Sequence, residues 1–340
     1  MPMPETPLVT VSLITYNHAP YIEQAIRSVL AQRTNFPFEL LIGDDESTDG
    51  TREIVQRFAA ENPDRIRLLL HSKSNNVDYR GRPTGNNNFA QNIRSARGKY
   101  IANLDGDDYW THRDKLQRQV DFLEKHSEYA VCFHRNAVVD EHDARLDVPS
   151  SIPVAKQTYV LAEYLELQFL PWTCTLLSRR GLFGEFPDWY LQSPVGDFPV
   201  NVMNALHGDF GFIDAEMAAY RIHPGGFWSM GLKREEWVEK SRAQQERQAL
   251  RWKDLGMLYY FLDGYLGTAY RPIIRRKIAE FATSEAGCYR SLGDNRAMRK
   301  SLWKAAVAQA EISPRKALRC VRLLIDNLIH PVSAASAAAN

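Results

Sequence analysis

Carboxylates crowd the run Asp105-Gly106-Asp107-Asp108, which directly follows a short apolar stretch. Three such groups within four residues repel one another, and at a partly buried position they need a cation. Oxygen ligands of this kind suit Mg²⁺ or Mn²⁺, which also bind diphosphate oxygens and water. Asp-Gly pairs are also common turn formers. The run therefore indicates either a divalent-cation site or a solvated acidic turn.

A second acidic pair, Asp44 and Asp45, lies within the segment IGDDESTDGT. A carboxylate facing a pyrimidine accepts its ring N–H and so selects that base by hydrogen bonding. The alternative is that Asp44, Ser47 and Asp49 only cap the following helix. The residues themselves leave both interpretations open.

The turn after the first apolar run reads Thr15-Tyr16-Asn17-His18-Ala19-Pro20 and contains no glycine. A dinucleotide-binding turn would need G-x-G-x-x-G, and a P-loop would need GxxxxGK[ST]. Phosphates are therefore not cradled by this turn. The ring of Tyr16 and its polar neighbours suit stacking on a base instead.

Each of these clusters follows a predicted strand. Strands are predicted at Val9–Ile14, Phe38–Ile42, Ile66–Leu70, Tyr100–Leu104 and Ala130–His134, and helices at Tyr21–Arg33, Ser47–Asn62, Asn88–Arg97 and Lys115–Lys125. This alternation predicts an α/β fold with a mostly parallel sheet covered by helices. Ligands bind such sheets outside the carboxyl ends of the strands, so we expect the three clusters to meet there.

The composition of the chain argues against several classes of protein function and location. The 340 residues carry 42 Lys and Arg against 41 Asp and Glu, a net charge of +1, which argues against a nucleic-acid binder. The four cysteines form no CxxC pair, so a reducing cytoplasm is expected. The sequence has neither a signal-peptide pattern nor an apolar run near the ~20 residues that span a bilayer.

Three segments in order, VTVSLITYN, IGDDESTDGT and GKYIANLDGDDYWTHRDKLQRQVDFLE, resemble the successive signatures of family 2 glycosyltransferases. The match covers residues 8–125 and continues more weakly to about 229. The resemblance implies a GT-A fold, a nucleotide-diphosphate sugar donor (a UDP-sugar), and inversion at the anomeric carbon. The acidic run becomes the D-x-D motif of that family.

The resemblance also implies roles for individual residues. Nucleotide-binding roles fall on Thr15, Tyr16, Asn17, Asp44, Asp45 and Asp107. Mn²⁺ or Mg²⁺ would be held by Asp107, Asp108 and His223. The catalytic base would be Asp197, where Gly196 replaces a glutamate common in the family. Contacts to donor or acceptor fall on Asp105, Asn92, Arg94, Arg221 and Trp228.

Two of these assignments have structural alternatives. Asp197 precedes Pro199 and suits a helix N-cap, a role compatible with that of a base. A lone histidine such as His223 is more often structural than a ligand. The remaining histidines, His18 among them, show no ligand spacing and are interpreted as ordinary.

Three regions are predicted: a GT-A domain at 1–230, an all-helical extension at 231–331 and a disordered tail at 332–340. Within the extension, residues 286–294 resemble one tetratricopeptide-like hairpin. Residues 315–329 form a basic amphipathic helix. It would either lie on an anionic membrane or pack its apolar side on the preceding hairpin.

The sequence thus predicts a metal-dependent inverting glycosyltransferase. Its acceptor would be a saccharide or a lipid-linked saccharide in cell-surface polysaccharide or lipopolysaccharide synthesis. The expected location is the cytoplasm, with peripheral contact to the inner face of the membrane. Two alternatives are a sugar-1-phosphate nucleotidyltransferase, whose glycine-rich loop is missing here, and an inactive sugar-nucleotide fold serving as an interaction module.

Overall fold

The computed structural model describes residues 6–72, 74, 84–148, 152, 156–226 and 242–331. The chain divides into two compact units, Met1–Gly226 and Phe227–Asn340. The predicted boundary at residue 230, the predicted tail at 332–340 and Trp228 all lie outside the described residues.

The N-terminal unit is built on one nine-stranded sheet. Its strands are β1 (Val9–Thr15), β2 (Phe38–Asp44), β3 (Ile66–Leu70), β4 (Tyr100–Asp105), β5 (Tyr109–Trp110), β6 (Tyr129–Val139), β7 (Thr158–Tyr159), β8 (Leu177–Arg179) and β9 (Asp209–Arg221). They run in the order β3-β2-β1-β4-β8-β6-β9-β5, and β7 pairs with β9. The strands β3, β2, β1 and β4 pair in parallel, whereas β8 is antiparallel to both of its neighbours, β4 and β6. The predicted α/β class with a mostly parallel sheet is confirmed.

Helices flank this sheet: α1 (Ile22–Leu30), α2 (Thr51–Glu61), α3 (Asn86–Ser95), α4 (Lys115–Lys125), α5 (Leu161–Leu165) and α6 (Asp197–Ala205). The β-branched run of β1 is buried along its length, as expected for a central parallel strand. In α1, the residues Ile22, Ile26 and Val29 recur at helical spacing, and all three are buried in the core beside β1.

Parallel pairing brings the polar clusters to one edge of the sheet. Thr15 at the end of β1 pairs in register with Asp44 of β2. On its other side, Ile14 pairs with Asp105 of β4. The carboxyl ends of these three central strands therefore adjoin, where the α/β topology predicts a ligand site.

Two local predictions differ from the structure. The strand predicted at Ala130–His134 spans Tyr129–Val139, because β6 pairs with β9 along this length through three register shifts. The helix expected from Ser47 begins at Thr51, with Gly50 in the left-handed region at its N-cap. Asp49 Oδ1 accepts the N–H of Thr51, the first residue of α2. Ser47 Oγ and Asp49 Oδ2 accept the backbone N–H groups of Asn17 and Ala19.

The described part of the C-terminal unit is helical, as predicted. It contains α7 (Arg242–Tyr265), α8 (Arg271–Ser291), α9 (Asn295–Ala310) and α10 (Pro314–Ile329). Asp294 caps α9 by accepting the Ala297 N–H. The tetratricopeptide-like character of the hairpin that α8 and α9 form stays a prediction. None of the described helices combines the length and apolarity needed to cross a bilayer.

Candidate active site

Two imidazoles and one carboxylate converge at the carboxyl edge of the sheet. His18, Asp107 and His223 each place one ligand atom within 4.8 Å of the other two. His223 Nε2 lies 3.0 Å from Asp107 Oδ2, and His18 Nε2 lies 3.7 Å from the same oxygen. Over the described ranges, no other group of three His, Cys, Asp or Glu side chains meets this criterion. Imidazole and carboxylate together are ligands for a divalent transition metal.

His18 is held in place by its neighbours. Its backbone N–H donates to Thr51 Oγ1 at 2.8 Å, at the start of α2. Its ring Nδ1 lies 3.2 Å from Thr15 Oγ1, which directs Nε2 towards Asp107. A hydrogen bond to the second ring nitrogen is the usual means of orienting a metal-binding histidine. Thr15 therefore acts on His18, whereas the sequence predicted a contact with the nucleotide.

The middle position of the acidic run must be glycine here. A Cβ added at Gly106 would lie 2.6 Å from Thr15 Oγ1 and 2.8 Å from His18 Nδ1. The Gly106 N–H donates to Ile14 O, so the backbone is tied to β1 and cannot easily withdraw. The close approach of the run to the Thr15–His18 pair thus depends on a missing side chain.

The three carboxylates of the run differ in their environments. Burial and the charges of Asp107 and Asp197 raise the pKa of Asp105 well above its usual value, and the nearby Thr173 hydroxyl opposes this rise only in part. Burial opposes ionisation of Asp107, but His18 and His223 outweigh it and lower the pKa of Asp107. Burial and the charges of Asp107 and Asp105 raise the pKa of Asp108 well above its usual value. Asp107 is therefore the carboxylate best prepared to bind a cation.

Asp108 lies outside the histidine–carboxylate cluster, although the sequence predicted it as a metal ligand. It is buried, and its Oδ1 accepts the backbone N–H of Arg221 at 2.8 Å. This bond fixes the acidic run to the end of β9, just before His223. Asp108 is thus a structural link between two parts of the site.

Arg221 has an internal role in place of the predicted contact with donor phosphate. Its guanidinium donates to Asp107 O, Asp140 O and Gln24 Oε1, and it pairs with Asp143 at 2.9 Å. The side chain is almost completely buried. Because its guanidinium makes these contacts within the protein, Arg221 holds the acidic run in position.

Asp197 is the first residue of α6 and is half-buried. Its Oδ2 accepts a hydrogen bond from Thr173 Oγ1 at 3.0 Å, and its Oδ1 accepts the Phe198 N–H. The same hydroxyl also lowers the pKa of Asp105, so Thr173 lies between Asp197 and the acidic run. Gly196, and not Asp197, occupies the N-cap position.

The glycine that replaces the family's glutamate has a steric cause. A Cβ at Gly196 would meet Asn86 Oδ1 at 2.9 Å. Asn86 is buried, and its amide donates to Tyr190 O and Ser193 O, so it cannot move aside readily. A side chain at position 196 would therefore collide with the buried Asn86.

The predicted base-binding residues fall into two groups. Tyr16 is 39% exposed and Asp45 is buried beside Thr15, whose carbonyl accepts the Asp45 N–H. Asn17 and Asp44 are used within the protein. Asn17 Oδ1 accepts the Thr48 N–H, and Asp44 Oδ2 pairs with Arg52 Nε at 2.6 Å.

Two predicted donor contacts lie elsewhere. Asn92 is completely buried, and its amide donates to Leu13 O and Ser12 Oγ, tying α3 to β1. Arg94 pairs loosely with Glu185 at 3.8 Å and lies over the ring of Phe186. Trp228 is outside the described residues.

His18 is the residue that sequence analysis missed. The three ligands lie in the segments that follow β1, β4 and β9, so their spacing along the chain is irregular and carries no signal. The available clue to a ligand role for His18 was its position directly after Thr15-Tyr16-Asn17, at the end of a central strand.

Comparisons with known proteins identify the family and the fold. The model of the family "Glycosyl transferase family 2" matches residues 10–183, just over half of the chain. An uncharacterized protein of Mycobacterium tuberculosis (strain ATCC 25618 / H37Rv) is 33% identical over 223 residues, 63% of this chain and 59% of that protein. The putative teichuronic acid biosynthesis glycosyltransferase TuaG of Bacillus subtilis (strain 168) is 37% identical over 121 residues, 36% of this chain and 44% of TuaG.

Among known structures, the fold resembles that of S. aureus TarS residues 1–349 in complex with UDP-GlcNAc. The TM-score is 0.51 at 17% identity, covering 94% of this chain and 91% of that one. The chain thus spans about three fifths of the length of the mycobacterial relative, and its overall fold is that of the TarS fragment.

Proposed function

Because the chain belongs to glycosyl transferase family 2, we propose that it is a metal-dependent, inverting glycosyltransferase that uses a nucleotide-diphosphate sugar. The observation that carries this proposal is the convergence of His18, Asp107 and His223 at the carboxyl edge of the sheet. Asp197 is linked to the same acidic run through Thr173. A metal site and a carboxylate base are the two components that such a displacement needs.

The proposed metal is Mn²⁺ in preference to Mg²⁺. Mg²⁺ prefers a shell of oxygen atoms, whereas two of the three candidate ligands are imidazoles. The ligand atoms lie close enough together for a single ion. When bound, such an ion neutralises charge that develops on the leaving nucleoside diphosphate. Thr15 and Arg221 hold two of its ligands in place.

The proposed donor is a UDP-sugar. Asp45 would accept the N–H of the pyrimidine ring, and the exposed ring of Tyr16 would flank the base. Asp197 would take the proton of the acceptor hydroxyl as the new C–O bond forms. Its two hydrogen bonds, from Thr173 and Phe198, fix the direction in which the carboxylate faces.

The proposed acceptor is a saccharide or a lipid-linked saccharide in the synthesis of cell-surface polysaccharide or lipopolysaccharide. Support comes from the similarity to TuaG, a protein named for teichuronic acid biosynthesis. The proposed location is the cytoplasm, since Cys132, Cys174, Cys288 and Cys320 are all free thiols.

The test is release of UDP from a panel of UDP-sugars by the full chain, with Mn²⁺ and with a chelator. We expect release only with the metal, and a fall of roughly 10²- to 10⁴-fold in Asp197→Asn. Asp188→Asn, which changes an exposed carboxylate of the same unit, is the matched control. UDP binding that persists in Asp197→Asn would separate lost chemistry from lost folding. Full turnover in Asp197→Asn would remove its assigned role, and an interaction module with a decayed site would bind no UDP at all.

A further inference from the structure

The outer face of α10 is apolar and uncovered. Leu318, Ile325 and Ile329 recur at i, i+7 and i+11, a spacing that places them on one side of a helix. They are 66%, 47% and 63% exposed, and the adjacent Leu328 is 56% exposed. An exposed apolar row of this length on one helix indicates a surface that meets a partner. We call these four residues the apolar row.

Among the described residues, it is the opposite side of α10 that packs on its own unit. Leu324 lies against the small cluster of Ala286, Met298 and Leu302. Asn327 is buried, and its amide donates to Asn295 Oδ1 of α9 at 2.7 Å. Part of the apolar stripe thus packs on the hairpin as the sequence allowed, but the apolar row does not.

Cations border the apolar row. Arg315, Arg319 and Arg322 follow one another at i, i+4 and i+7 and are exposed, as is Lys316. Leu318 has Arg315 three residues before it and Arg322 four residues after it, so the two rows are neighbours on the helix surface. The helix has a single acidic side chain, Asp326. Across the described ranges, none of the four cations forms a salt bridge.

We propose that this face of α10 docks on an anionic lipid bilayer, with the helix parallel to the membrane plane. The apolar row would enter the boundary between headgroups and acyl chains, while the arginines reach lipid phosphates. Lipid headgroups supply the negative charge that the protein does not. The inference concerns location and stands independently of the proposed reaction.

A second copy of the chain fits this face poorly. Self-association through the apolar row would bring the arginines of two copies together, with only Asp326 to offset them. An anionic bilayer satisfies the apolar and the cationic row at once. Charge complementarity therefore selects lipid as the occupant.

The test is flotation of the full chain with vesicles of phosphatidylcholine alone and with one lipid in three replaced by phosphatidylglycerol. We expect binding to the anionic vesicles only, and less of it at high salt. Arg319→Glu/Arg322→Glu should reduce the partition coefficient by about 30-fold or more, at about fivefold for each cation removed. Leu318→Ser/Ile329→Ser should also reduce binding, which a purely electrostatic contact would not do.

Matched controls change the same residue types on the N-terminal unit. Arg113→Glu/Arg118→Glu alters the net charge equally at exposed positions, and Leu170→Ser/Leu206→Ser removes two exposed leucines. Far-UV circular dichroism verifies that the helices persist. Equal binding to both kinds of vesicle, no binding at low salt, or equal loss in the control variants would each overturn the proposal. So would a dimer in sedimentation velocity that Leu318→Ser/Ile329→Ser abolishes, if the wild-type chain did not float.

Discussion

His18 and His223 face the same oxygen atom, Oδ2 of Asp107, at 3.7 and 3.0 Å. One follows β1 and the other follows β9, two strands that β4, β8 and β6 separate in the sheet. Their rings lie 6.1 Å apart in an edge-to-face arrangement. Tyr21 packs against His223 at 4.8 Å and helps to fix it. Together with Asp107, the two histidines form a set of three candidate metal ligands.

His18→Ala should weaken Mn²⁺ binding by roughly tenfold or more, because loss of a direct ligand costs at least as much as loss of an outer-sphere partner. His207→Ala changes an exposed histidine at the end of α6 and should leave affinity unchanged. Electron paramagnetic resonance of free Mn²⁺ measures both variants directly. Equal affinities would show that His18 is an ordinary loop residue.

Gly106→Ala should disturb the same site without replacing any of its ligands. Its Cβ would need the space of Thr15 Oγ1 and His18 Nδ1, so the imidazole must turn away from Asp107. We expect a loss of Mn²⁺ affinity comparable to that of His18→Ala. Gly287→Ala, where the new methyl group meets nothing within 4 Å, serves as the control. An unaffected Gly106→Ala variant would contradict the assigned orientation of His18.

Arg221→Met should destabilise the fold by roughly 2–5 kcal/mol, because two buried carbonyl oxygens and Gln24 Oε1 lose their donor. Arg145→Met removes an exposed arginine that pairs with Glu216, and its effect should be much smaller. Urea unfolding of the two variants makes the comparison. Equal effects would mean that Arg221 does not hold the acidic run.

Lys115 gives a prediction with a definite sign in pH. It is buried on α4 with Nζ 2.6 Å from Gln119 Oε1, and burial lowers its pKa from 10.5 to about 7. Below about pH 7, Lys115 is protonated in both the folded and the unfolded protein, and burial of its charge destabilises the fold by the full amount. Above it the unfolded chain binds more protons than the folded one, so stability rises with pH until the unfolded lysine also titrates.

Lys115→Met should therefore be stabilised relative to wild type at about pH 6, and the advantage should shrink by a few kcal/mol towards about pH 10. The measurement is urea unfolding of both proteins across this range. Lys99→Met is the control, since Lys99 is half-exposed and its pKa is raised by its hydrogen bond to Glu124. A constant difference between Lys115→Met and wild type would contradict a neutral buried lysine.

Local periodicity predicted the central elements well. The bounds of α4 coincide with those expected, because its buried Leu116, Val120 and Leu123 recur at helical spacing. The four central parallel strands were also predicted, since each is a short β-branched or apolar run. These features depend on neighbours in the sequence, which is why the sequence alone sufficed.

Partnerships across long sequence distances were not predictable. Asn17, Asp44, Asn92 and Arg221 were predicted to contact ligands, and each also makes at least one side-chain hydrogen bond or ion pair inside the protein. Ser47 was predicted to cap α2 but accepts the Asn17 N–H, whereas Asp49 accepts the N–H groups both of Thr51 in α2 and of Ala19 in the loop that carries His18. Residue type reveals that a side chain needs a partner, whereas only the fold shows which partner it finds.

The central claim is that His18, Asp107 and His223 hold the ion that binds the donor diphosphate. Calorimetric titration of UDP into the full chain, with Mn²⁺ and with a chelator, tests it most directly, with Asp107→Asn alongside the wild type. The account predicts UDP binding with Mn²⁺ that weakens by about a hundredfold or more on chelation and in Asp107→Asn. UDP affinity that is the same with and without the metal, or unchanged in Asp107→Asn, would contradict it.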